Sequence, residues 1–327
     1  MTTARTACAV VALLLASCPA TAQERPVWPS PPATTRIRYL RALSPEAIRR
    51  PPSAFSKLLR VIVGGAAREH MTQPYGVAVG PDRRVYVADS VGGVVHVYDL
   101  EKSRHDTIKV AAQSLIGIAV VGQRLYVTDS VAGRLVCLDL KGHELWSRGA
   151  GDGFVRPTGL AASADLLYVV DTMQHRIVTV GLGGTIYERL GTRGSGPGQF
   201  NFPTNIVRAG DGRLFVTDTM NFRVQVLDRH GAPLAAFGRL GDAPGDFDKP
   251  KGIALDSDGH VYVVEGLNDI VQIFDERGRL LLTFGGSGAG AGELWLPSGI
   301  TIVNDVVYVA DAANRRVQLF EYVKEGR

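Results

Sequence analysis

The sequence predicts an all-β fold, a six-bladed β-propeller of four-stranded antiparallel blades. Three observations predict it: a motif that recurs six times, a spacing between copies that matches one blade, and a last copy that is one strand short. Cut at each Pro-x-Gly or its equivalent, the chain falls into copies that open PYGVAV at Pro74, LIGIAV at Leu115, PTGLAA at Pro157, PTNIVR at Pro203, PKGIAL at Pro250 and PSGITI at Pro297. An acidic residue ends the second strand of each copy, at Asp89, Asp129, Asp171, Asp218, Glu265 and Asp311. Their successive separations are 40, 42, 47, 47 and 46 residues.

Within a copy the elements follow in a fixed order. A short apolar strand runs into a tight turn such as Asp211-Gly212 or Asp258-Gly259, and an alternating strand such as Arg213 to Asp218 returns. A third strand follows, as at Arg223 to Leu227, where Val224 and Val226 face one way and Arg223 and Gln225 the other; Leu234 to Phe237 makes the fourth. The copy from Pro297 has three strands and then the chain ends, which would leave an unpaired edge. Leu58-Leu59-Arg60-Val61-Ile62-Val63-Gly64-Gly65 matches the fourth-strand pattern of Leu280 to Gly286, so this N-terminal segment is expected to complete the last blade. The expected organisation is a signal peptide over 1–22, or 1–17 for a lipoprotein, a basic lead-in over 23–57, one propeller over 58–323 and a tail over 324–327.

The export reading rests on one charge in Met1 to Arg5 followed by an apolar run, Thr6 to Ala16, too short to anchor across a bilayer. Leu15-Ala16-Ser17-Cys18 resembles a lipobox with Cys18 as the lipidated residue, while Ala20-Thr21-Ala22 is an ordinary cleavage site; both readings place the protein in the cell envelope, in the periplasm or anchored as a lipoprotein. Membrane contact is expected only through such a lipid. Cys137 is the single cysteine beyond the export segment, which excludes an internal disulfide and a cysteine-based metal site and leaves it a small buried core residue. Charge is uneven. Residues 36–60 carry +6 and 61–327 about −3, so the basic character belongs to one solvated edge, and a nucleic-acid partner is not expected.

The P-x-G-[IL]-A-[VL], [VL]-Y-V-[AT]-D, N-x-R-V-Q-[VL]-F and G-x-G-x-[FL]-x-x-P elements resemble NHL repeats over roughly residues 58 to 323, and the preceding RIRYLRALSPEAIRRP resembles the lead-in of exported bacterial NHL proteins. The resemblance is specific for fold and weak for activity, because such propellers host enzymes, RNA-binding modules and scaffolds.

In such a blade the link between second and third strands and the link into the next blade emerge on one face, and here they are the longer links, including Gly191 to Pro203, Gly238 to Pro250 and Gly285 to Pro297. The residue after each blade-opening position is expected at the channel mouth: Tyr75, Ile116, Thr158, Thr204, Lys251 and Ser298. None is histidine. The resemblance implies that a zinc-dependent lyase of this type would project histidines there, so neither zinc nor calcium is expected, and no other cofactor. The recurring aspartates are read as caps of backbone amides, joined by Arg134, Arg176, Arg223 and Arg316 five residues later. The fifth copy departs from its siblings, with Glu265 for Asp and Lys251 at the mouth, and an ion pair between the two is expected. Trp295, where equivalent loops hold Asn201 and Asp248, places an aromatic beside them. The glycine-rich GTRGSGPGQF from Gly191 is not followed by a helix and is a turn segment, not a phosphate cradle. The chain is therefore expected to act as a single copy, a non-catalytic propeller that binds a protein, peptide or glycan through Tyr75, Thr158, Thr204, Lys251, Glu265, Trp295 and Ser298. The alternative is a metal-dependent lyase or hydrolase with its site in the channel.

Overall fold

Each repeat forms one antiparallel blade, and the computed structural model describes residues 25–48 and 70–324. Blade one is built of Pro74–Val79, Val85–Asp89, Val94–Asp99 and Arg104–Lys109, and blades two to five repeat the order from Leu115, Pro157, Pro203 and Pro250. The first strand of each blade lies innermost beside the first strand of the next, and Pro297–Val303 lies against Pro74–Val79, closing the ring around a central channel. The chain is thus an all-β propeller of six blades.

The core is six layers rather than one. Each layer fills the gap between adjacent blades, as where Tyr86 and Val127 pack between blades one and two, or Phe215 and Ile253 between blades four and five. A second strand such as Val85–Asp89 is consequently buried on both faces, whereas the outermost Pro233–Phe237 is mostly exposed. Cys137 is buried in the layer between blades two and three, where burial raises its thiol pKa.

The Pro-x-Gly signature has a steric cause. Proline opens the inner strand at a position needing no N–H, and a register shift follows directly, between Pro74 and Val77 in blade one. The shift presses the strand onto the next blade, so that a Cβ at Gly76 would lie 2.3 Å from the Ile116 carbonyl oxygen and one at Gly117 2.2 Å from that of Thr158. Only glycine fits there.

Ring closure corrects the sequence expectation. An N-terminal strand does complete the last blade, but it is Ile37–Leu43, paired antiparallel with Arg316–Tyr322. Leu58–Gly65, expected in that place, lies outside the described residues, as do Cys18 and both cleavage sites. Val27–Trp28 adds a fifth strand to the same sheet, and Trp28 packs 5.8 Å from both Phe284 and Phe320, sealing the layer between blades five and six. The basic lead-in is therefore partly a propeller edge, with Arg38 held 3.1 Å from Glu321 and Arg41 exposed.

Candidate functional site

The channel mouth is shaped by the six carboxylates, each of which accepts from backbone amides. Asp129 accepts from the amides of Gln113 (2.9 Å) and Ser114 (3.1 Å), which enter blade two, and from Ala132 in the turn that follows it (3.1 Å). Glu265 takes the same place in blade five, accepting from Asp248 (2.9 Å) and Lys249 (2.5 Å). The entering loop and the turn after the second strand therefore share one face, as the topology requires. The carboxylates differ in acidity. Burial works to raise Asp89, but a hydrogen bond from His96 and several backbone amides outweigh it and hold the group at about 2; for Glu265 burial prevails and the pKa is raised.

Blades four to six add a second clamp. Arg223 donates to Asp218 (2.9 Å) and to the carbonyls of Gly196 and Gln199 (3.0 Å each), and Gln225 spans the Gly198 amide (3.0 Å) and the Gln199 carbonyl (2.6 Å). Arg316 and Gln318 repeat this in blade six, and Gln272 alone in blade five, where Ile270 replaces the arginine. The arginine expectation holds unevenly: Arg176 is 3.7 Å from Asp171, and Arg134 donates to the Ala111 carbonyl (2.6 Å).

Most of the sequence-selected mouth residues are spent on joining blades. The Thr158 hydroxyl contacts that of Thr172 (2.7 Å) and donates to the Thr204 carbonyl (2.9 Å), and Thr204 contacts the hydroxyls of Thr217 and Thr219. Ser298 is buried and donates to the Pro74 carbonyl (3.1 Å). Thr158, Glu265 and Ser298 are buried, and their polar atoms engage in the ring's own hydrogen bonds. Lys251 does not form the expected salt bridge with Glu265. Its Nζ reaches the Pro297 carbonyl (3.4 Å), the bond that Thr172 makes to Pro203 and Thr219 to Pro250, and it fits because Gly266 replaces the hydroxyl residue: a Cβ there would lie 2.4 Å from Lys251 Cε. Burial lowers the Lys251 pKa. Tyr75 and Ile116 do line the channel.

Trp295 stands 54% exposed beside Leu296, with its amide donating to Asp311 (2.8 Å). It belongs to a larger feature that the motif reading overlooked. Two residues after each of the first five carboxylates stands an apolar side chain on the mouth face, Val91, Val131, Met173, Met220 and Leu267, each between 45% and 62% exposed. The signal was in the repeat, at a turn position where polar residues are the usual choice.

The channel encloses about 300 Å³, lined by the six inner strands. Among the described residues no group of three or more His, Cys, Asp and Glu is placed to hold a metal ion. Of the histidines, His96 lies on a third strand in contact with His105 (3.0 Å), His143 and His260 pair with turn aspartates, and His175 accepts from the Phe202 amide (3.1 Å).

No protein-family model matches the chain, and no curated protein matches it in sequence. Solved structures share its fold. A virginiamycin B lyase from Staphylococcus aureus superposes with a TM-score of 0.59 at 14% identity, covering 78% of this chain and 97% of the lyase. A gluconolactonase from Xanthomonas campestris gives 0.61 at 18%, with 78% and 88% covered. An auxiliary nutrient binding protein from Bacteroides thetaiotaomicron gives 0.63 at 12%, with 78% and 70% covered. At these identities the likeness is one of fold, and it spans both binding proteins and enzymes.

Proposed function

We propose that this chain is a non-catalytic binding propeller of the NHL kind, exported to the bacterial cell envelope, that captures a protein or peptide partner on its channel-mouth face. The observation that carries the reading is the ring of exposed apolar side chains, Val91, Val131, Met173, Met220 and Leu267, extended by Trp295 and Leu296. Scattered exposed hydrophobes are ordinary, but one recurring at the same repeat position around one face is a contact surface, and aromatic and methionine side chains are the types enriched in such contacts. The clamped loops of blades four to six hold the face in shape before a partner arrives, which limits the ordering cost of binding. A glycan is served less well, since the polar atoms of Thr158, Glu265 and Ser298 are engaged inside the ring.

The test is crosslinking in the envelope from a photoreactive residue at position 267, with Leu281 on an outer strand as control, repeated with Trp295→Ala and Met220→Asp. A partner joined at 267, absent at 281 and lost in both variants is expected. A metal bound in stoichiometric amount by purified protein, with no partner that depends on Trp295, would replace this reading with the enzymatic one.

A further inference from the structure

Three departures from the repeat meet in the groove between blades three and four, at the strand ends opposite the channel mouth. Arg208 ends the inner strand of blade four, where the other blades have Val79, Val120, Ala162, Leu255 and Ile302. Gly181 closes the third strand of blade three, where its siblings carry an acidic residue such as Asp139 or Asp228. Tyr187 lies across that glycine, since a Cβ at Gly181 would stand 3.0 Å from Tyr187 Cε2, and it is 61% exposed. Register turns the side chains of the two blades toward each other. Arg208 pairs with Leu214 and follows Ile206 by two residues, and both of these lie in the layer between blades three and four, so Arg208 shares their face. On the facing wall Tyr168, Thr179 and Glu188 form one cross-strand row, with Tyr168 in the same layer. Arg208 Nη2 and Arg229 Cβ lie 3.6 Å and 3.3 Å from the point a Cβ would occupy on Gly212, which sets the guanidinium at that turn, beside the groove wall.

Charge is unmatched on both walls. Arg208 Nη1 reaches the Ala209 carbonyl at 3.3 Å, and its Nε is buried without a hydrogen-bond partner. Among the described residues neither Arg208 nor Arg229 meets a carboxylate, and Asp165 and Glu188 across the groove meet no cation. Cations on one wall and anions on the other, unpaired with each other, select a ligand that carries both charges. We propose that the groove binds a short peptide with free ends, its carboxylate on Arg208 and its ammonium group on Glu188 and Asp165. Facing sheets stand roughly 10 Å apart, the length of an extended tripeptide. The groove, of about 560 Å³, admits one, and Tyr187 offers an aromatic surface to its central side chain. This site lies on the opposite face from the apolar ring at the mouth and stands without it.

The tripeptide Ala-Phe-Ala is the probe, titrated calorimetrically at low salt into the full chain beside its C-terminal amide and its N-acetyl form. The amide is expected to bind at least about tenfold more weakly, because a partly buried guanidinium loses its charged acceptor. The N-acetyl form should lose about threefold, since Glu188 and Asp165 are exposed. Arg208→Leu, which restores the aliphatic position, should bring the free peptide down to the affinity of its amide and leave the amide unchanged. Glu188→Gln combined with Asp165→Asn should do the same for the free peptide and its N-acetyl form. Tyr187→Ala should weaken all three by about fivefold, and Trp295→Ala at the mouth should weaken none. Thermal unfolding checks that each variant folds, and Arg208→Gln serves if Arg208→Leu does not. Absence of saturable binding to the unaltered chain, an amide that binds as tightly as the free peptide, or equal weakening of both by Arg208→Leu would each overturn the site. So would loss of binding in Trp295→Ala with none in Tyr187→Ala, which would move the peptide to the mouth.

Discussion

The entrances to blades four, five and six and those to blades two and three solve the same joining problem with different chemistry. The former are long glycine-rich loops, each closed by a buried plug, Phe200, Phe247 or Leu294, and tied down by Gln225, Gln272 or Gln318 from the third strand. Blade two is entered directly past Val110, and blade three through the short 3-10 turn Ala150–Asp152; the glutamine position there is Val136 or Val178. One half of the mouth is thus rigid by hydrogen bonding and the other by brevity. Length on this face is tolerated only where a buried amide side chain is available to satisfy the backbone that the loop exposes.

The largest test of that contrast is steric. Gly238→Ala should destabilise by about 3 kcal/mol in denaturant unfolding, because its φ is +94° and a Cβ would lie 2.3 Å from the Phe247 ring; Gly151→Ala, with nothing near its Cβ, should stay within about 0.5 kcal/mol. Equal effects would erase the distinction between the loops. Next, Gln318→Leu should cost about 2–3 kcal/mol by stranding the Gly292 amide and leaving the Glu293 carbonyl to Arg316 alone, while Val178→Leu at the matching place costs under about 1.5 kcal/mol.

Acid sharpens the comparison further. Asp89 sits below the ordinary aspartate value in the folded state, so the stability it contributes is complete above about pH 4 and is lost as pH falls toward its folded pKa of about 2. Glu265 has the opposite sign: its raised pKa makes its ionisation a cost at neutral pH that protonation relieves. Asp89→Asn should accordingly flatten the acid limb of the stability curve, and Glu265→Gln should cost less at pH 7; a chevron series from pH 2 to 7 reads both. The smallest effect is expected at Arg134→Ala, about 0.5 kcal/mol, since its exposed guanidinium holds a short entrance that needs little holding.

The blades, their order and the amide-capping carboxylates were legible because each is written six times and each depends on neighbours close in sequence. The closing strand was not. Ile37–Leu43 carries a bulge between Tyr39 and Arg41 that disrupts its alternation, and its place is decided by a distant edge, Arg38 and Glu321 being 283 residues apart. Local pattern favoured Leu58–Gly65 because it resembled other outer strands. For the mouth residues, sequence locates Thr158 and Lys251 on the inner strands without showing that they bond to the neighbouring blade's carbonyls.

Ring closure by Ile37–Leu43 also imposes a timetable on the ribosome's product. The strand that completes the last blade precedes all six repeats in the chain and its partner, Arg316–Tyr322, follows the first five blades, so those five are synthesised between the two before the circle is able to shut. Through that interval the nascent protein is an open arc with a bare strand edge, and the closing strand finds its place only once Arg316–Tyr322 has emerged.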